Sequence, residues 1–139
     1  MSKTQSLTAN TIKNVVYSDF FTDFSAHVNT GQLNKKTNED AVKQSVRNLL
    51  LTDRYERPFQ PEIGCSLRGL LFENFTPDTQ LLAKKYIEET ITQFEPRAIL
   101  MNIQVVPNID GNAIQISILF RIINATQPTR LELVLERTR

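Results

Sequence analysis

Three groups of residues in this sequence have types and spacing suited to specific chemistry. The sharpest is Glu95-Pro96-Arg97. A proline steers the residue before it toward extended backbone, and in extended chain residues two apart project to one side, so this carboxylate and guanidinium present together. Arg97 can donate two parallel hydrogen bonds to a carboxylate or to backbone carbonyls. A glutamate at the negative end of a helix is unfavourable by about 0.3–1 kcal/mol, which predicts a partner for Glu95. The plainer alternative is a helix stop with a surface ion pair worth ~0–1 kcal/mol.

The second group lies in the loop that carries Arg57, Phe59 and Glu62, where two prolines and Gly64 forbid a long regular element. Its apolar content exceeds that of a linker. Phe59 and Ile63 either close the core or, with Arg57 and Glu62, meet a neighbouring subunit. The third group is the carboxylates Glu56, Glu62 and Glu73, since glycoside hydrolysis needs only two such groups across a cleft. Acidic residues beside loops are also ordinary surface residues. Cys65 and His27 are each the only residue of their type. A lone cysteine is more often a small packed residue than a nucleophile, and one histidine cannot build a His-based metal site. Phosphate-loop, dinucleotide, H-E-x-x-H and C-x-x-C patterns are all missing. The expectation is no catalytic residue, no metal and no cofactor.

Composition narrows the partners. Sixteen Lys+Arg against fifteen Asp+Glu give a net charge of +1, without the basic excess of a nucleic-acid binder. No apolar run reaches the ~18 residues of a membrane helix, and the opening residues are polar rather than an apolar signal core. A single cysteine permits no internal disulfide. The expected partners are proteins, not nucleic acid, membrane or a small-molecule substrate.

The elements that must position these groups follow from hydrophobic period. Residues 1–14 are polar and patternless and read as a flexible arm; residues 15–139 read as one domain. Residues 15–17 are a short strand candidate, Phe20, Phe21 and Phe24 an aromatic cluster expected to pack, and residues 29–36 a loop. A helix starts near Thr37 or Asn38, buries Val42, Val46, Leu49 and Leu50, and turns Lys43, Gln44 and Arg47 to the opposite side. Leu67, Leu70, Leu71 and Phe72 suit a short helix, with Leu71-Phe72 in the core. Thr76-Pro77-Asp78 opens the second main helix, which runs to Phe94.

Beyond Pro96 the period becomes two. Ile99, Met101, Ile103 and Val105 share a face until Pro107 ends the strand, and Asp110-Gly111 marks a turn. Residues 113–123 place Ile114, Ile116, Ile118, Phe120 and Ile122 on one face, leaving Leu119 and Ile123 on the other. In a last strand Leu131, Leu133 and Leu135 alternate with Glu132, Val134 and Glu136. The fold class is α+β: two main helices packed on a small antiparallel sheet of three strands, or four if residues 15–17 join. Apolar residues on both sheet faces call for a second cover, and the sheet's edges invite strand addition.

Arg57-Pro58-Phe59-Gln60-Pro61-Glu62-Ile63-Gly64-Cys65, then Leu71-Phe72-Glu73-Asn74-Phe75-Thr76-Pro77, then Phe94-Glu95-Pro96-Arg97 resemble, in matching order, the baseplate wedge or sheath-initiator family of contractile phage tails and type VI secretion baseplates. The resemblance runs from Tyr17 through the C-terminal strands. Tyr55 departs from it, standing where family members often carry glycine. The resemblance implies a structural protein of the virion's tail baseplate, bound to wedge proteins around the hub, beside tail tube or hub neighbours, and starting the tail sheath by offering a sheet edge. Glu95, Pro96 and Arg97 would then bind a partner, Arg57, Phe59 and Glu62 would form a subunit contact, and the strand of Leu131, Leu133, Val134 and Leu135 would receive the sheath. The lysozyme-like activity ascribed to some members implies the alternative, a baseplate-associated peptidoglycan hydrolase.

Overall fold

The computed structural model describes residues 15–108 and 113–137. The expected arm at 1–14 and the Asp110-Gly111 turn lie outside the described residues. In chain order the elements are β1 (Ser18–Phe20), β2 (Lys35–Thr37), α1 (Asn38–Leu51), α2 (Leu67–Leu70), α3 (Pro77–Phe94), β3 (Ala98–Asn108), β4 (Ala113–Ile122) and β5 (Pro128–Glu136). The fold is α+β, with β3, β4 and β5 forming one antiparallel sheet in that spatial order. Helix α3 packs over β3 and α1 over β5, so both main helices cover the same face.

Helix α1 begins after the extended Thr37, with Glu39 and Asp40 in its first turn at the positive end of its dipole. Asn38 has φ +50°, a conformation asparagine tolerates better than most residues. Its Oδ1 accepts from the backbone N–H groups of Val16 at 2.8 Å and Tyr17 at 3.3 Å, fastening the incoming chain to the helix. At the start of α3 the Thr76 side chain accepts from the Thr79 N–H, and the Thr79 hydroxyl accepts in return from the Thr76 N–H.

The core lies between the helices and the sheet. Ile114, Ile116, Ile118, Phe120 and Ile122 of β4 and Leu131, Leu133 and Leu135 of β5 meet Val42, Val46 and Leu50 of α1 and Ala83, Ile87 and Ile91 of α3. Each large side chain so buried contributes about 1.5–3 kcal/mol relative to exposure.

Several expectations are corrected. Residues 15–17 are not a strand; β1 follows them and pairs with β2 in a separate two-stranded sheet, so the main sheet has three strands. Strands of three residues, largely polar and exposed, are too short to show an alternation by which to find them. Phe20 and Phe24 are exposed, as is Phe72, over whose ring the Arg137 guanidinium lies at 5.1 Å. Gln44 is buried, its Nε2 donating to the Phe20 carbonyl at 2.7 Å. In β3 the pairing skips Met101, moving from Leu100↔Phe120 to Asn102↔Leu119. This bulge puts Ile99 and Met101 on the open side while Ile103 and Val105 stay inward. Pro107 lies within β3 rather than ending it, which an edge strand permits.

Candidate functional site

Glu95 leaves α3 with φ −130° and ψ 73°, off the helical region as Pro96 requires. It is only 2% exposed. Arg97 Nε donates to Glu95 Oε1 at 2.5 Å and Nη2 to Oε2 at 2.8 Å, while the Ser45 hydroxyl of α1 donates to Oε2 at 2.5 Å. Burial by itself pushes the Glu95 pKa up, but the hydrogen bonds from Arg97 and Ser45 and the Arg97 charge prevail and hold it below the usual value. The Arg97 guanidinium stands 5.3 Å from the Tyr17 ring, and the Arg97 carbonyl accepts from the Ile123 N–H. Carboxylate and guanidinium therefore share one side, as the spacing predicts, yet they pair with each other. The motif ties the end of α3 to α1 and to the end of β4. What remains accessible is part of the Arg97 side chain, 35% exposed.

The loop after α1 is an ordered projection. The Tyr55 N–H donates to the Pro61 carbonyl at 2.8 Å, the Asp53 N–H to Glu56 Oε2 at 2.9 Å, and the Cys65 N–H to the Thr52 carbonyl at 2.8 Å. Gly64 has φ +143°, and a Cβ there would stand 2.7 Å from the Thr52 and Asp53 carbonyl oxygens, so only glycine fits. Phe59 is fully exposed with φ +69° and closes no core; Ile63 is half-buried. Arg57 and Ile63 share a shallow depression with Ser45 and Phe94, which brings this loop to the same side as Glu95 and Arg97.

Tyr55, where the resemblance leads to an expectation of glycine, is exposed with φ +70°. A side chain in that region costs about 1–2 kcal/mol, against roughly 0.5–1 kcal/mol for the extra freedom of glycine. Tyr55→Gly is expected to raise stability by up to ~1 kcal/mol. A urea midpoint that falls instead would show that the tyrosine ring holds a stabilising contact.

The candidate catalytic groups are dispersed. Glu62 is exposed on the loop, Glu56 is bonded to the Asp53 backbone, and Glu73 lines a different depression beside Phe72 and Arg137. Burial pushes the Cys65 thiol up, with the Thr90 hydrogen bond opposing, so Cys65 lacks the depressed pKa of a nucleophile. His27 is exposed, outside the core that holds Cys65. No cluster that could hold a metal ion occurs among the described residues.

The sheet supplies the third surface. Its face away from the helices carries a cross-strand row of Val106, Gln115 and Val134, with Ile99, Met101 and Ile123 also exposed. Strand β5 forms one edge, with Leu131, Leu133 and Leu135 inward and Val134 outward. It pairs regularly from Pro128 to Glu136 without a bulge, whereas the β3 edge carries both the Met101 bulge and Pro107. Lys43, Gln44 and Arg47, which the helical spacing places opposite the apolar face and to which it assigns no role, line a groove that Leu131 of β5 also borders. Their spacing marks one side of α1 but not what that side adjoins.

Among the described residues the sheet is backed by helices on one face and leaves its other face and its β5 edge uncovered, an arrangement suited to protein contacts. The chain belongs to the baseplate wedge protein gp25 family, whose model matches residues 36–127. It is 34% identical over 84 residues to baseplate wedge protein gp25 of Enterobacteria phage T4, a match that covers 60% of this chain and 64% of that protein. The chain spans just under two thirds of the length of the curated relative it matches. In fold it is similar to a protein described as a tail lysozyme from Geobacter sulfurreducens, with TM-score 0.66 and 24% identity over 73% of this chain and 92% of that one. It is also similar to a chain of the anti-feeding prophage baseplate, with TM-score 0.62 and 24% identity over 85% and 83% of the two chains. A chain of the post-contraction pyocin R2 baseplate matches with TM-score 0.52 and 19% identity over 82% and 98%.

Proposed function

We propose that the domain docks on neighbouring wedge subunits through the side that carries Arg57, Phe59, Glu62 and the accessible part of Arg97, and starts the tail sheath by accepting a strand at the β5 edge. The observation that carries this reading is the regular, bulge-free β5 at one edge of the sheet of a baseplate wedge family member. An open edge offers backbone donors and acceptors to an incoming strand, and pairing there needs little from single side chains. Sheath protein added to baseplates containing the chain is expected to polymerise, and baseplates lacking only this chain are expected to stay bare. Sheath of normal extent on the depleted baseplates would overturn the reading.

Docking has its own test. Exposed aromatic anchors that fill partner pockets commonly carry 2–4 kcal/mol of binding, so Phe59→Ala should weaken wedge association by roughly 30- to 1,000-fold. Its thermal midpoint should stay unchanged, because the ring touches no core. Arg57→Ala and Glu62→Ala should have smaller effects. Unaltered wedge association of Phe59→Ala would remove the loop from the interface. The hydrolase alternative has one observation in its favour, an Asp53 carboxyl pushed up first by burial, with Glu56 adding and Arg68 opposing. Asp53 is, however, ion-paired to Arg68 at 3.8 Å beside the base of the loop. Purified protein is expected to leave a peptidoglycan suspension turbid; clearing that Glu56→Gln abolished would add an enzyme to the account.

A further inference from the structure

The groove between α1 and β5 points to the chemistry of the strand that the edge accepts. Leu131 of β5 borders it, and α1 contributes Asp40, Lys43, Gln44 and Arg47, with Lys36 coming from β2. Three cations thus face one carboxylate, and no ion pair engages Lys43 or Arg47 among the described residues. Gln44 is 7% exposed; its Nε2 is spent on the Phe20 carbonyl, but its Oε1 is buried with no hydrogen-bond partner. An orphaned buried carbonyl is costly to the fold. The groove is continuous with the open edge, because the strand that borders it is the edge strand itself.

We infer that this groove selects an extended acidic segment, which pairs with β5 while its carboxylates meet Lys36, Lys43 and Arg47. The inference rests on strand addition at β5 and adds the charge of the added strand. A basic segment would be rejected by the same cations, so the groove acts as a filter as well as an anchor.

The test uses the whole chain and labelled peptides of about ten residues in which valine alternates with glutamate, glutamine or lysine. Fluorescence anisotropy should show the Val/Glu peptide binding at least about tenfold more tightly than Val/Gln, with Val/Lys weakest, and the preference should shrink as salt is raised. The double variant Lys43→Glu, Arg47→Glu, checked by circular dichroism, should reverse the order. Equal binding of all three peptides, with β5 amides protected, would overturn the acidic preference and leave strand addition standing. Failure of all three to bind would overturn both.

Discussion

Arg97→Ala is expected to lower the stability of the isolated domain by about 2–4 kcal/mol, a fall in thermal midpoint of roughly 10 °C. Removing one member of a buried ion pair strands the other, and Glu95 would be left with only the Ser45 hydroxyl and the backbone N–H of residue 97. The figure sits below the full value for a buried pair because the Arg97 side chain is 35% exposed. Arg97→Lys should recover only part of the loss, since an ammonium cannot make both bonds of the fork. The same pair sets an acid limit. With the folded-state pKa of Glu95 held below its unfolded value, its contribution is complete above about pH 4.3 and is lost as pH falls through the depressed folded value. Denaturant midpoints across that window should fall for the natural sequence and flatten in Arg97→Ala. An Arg97→Ala domain as stable as the original, yet unable to join baseplates, would instead make the motif purely a partner site.

Val134→Pro is expected to block sheath growth. Proline removes a backbone donor and carries a ring where an adjacent strand must lie, whereas Val134→Ala, changing an exposed side chain only, should be nearly silent. Proline within β5 also threatens its pairing with β4, so circular dichroism and wedge association must first show a folded, incorporated variant. Such a variant that still supported sheath of normal extent would move the receiving edge away from β5.

Much of this arrangement was legible because periodic elements state which way they face. The alternation through Ile114, Ile116, Ile118, Phe120 and Ile122 matched the buried face of β4, and Thr76-Pro77-Asp78 matched the start of α3. What failed were features decided by non-local contacts. The Met101 bulge depends on the register against β4, Gln44 is buried because the Phe20 carbonyl lies against it, and Phe59 and Phe72 lie outside the strands and helices, where no period says which side is inward. The side shared by Glu95 and Arg97 followed from their spacing, but their mutual pairing is fixed in part by Ser45, fifty residues earlier. Alternation marked β5 as a strand, while its candidacy as the receiving edge came from the family resemblance; the strand order and the guarded state of β3 distinguish it from the opposite edge.

Hydrogen exchange on the chain in wedge complexes, with and without sheath protein, tests the central claim most directly. Amides at an unpaired strand edge exchange through solvent, and those engaged by an added strand do not. Sheath protein is expected to slow exchange of the outward-directed amides of β5 between Pro128 and Glu136 while leaving β3 unchanged. New protection confined to β3, or none in the sheet while sheath is bound, would contradict strand addition at β5.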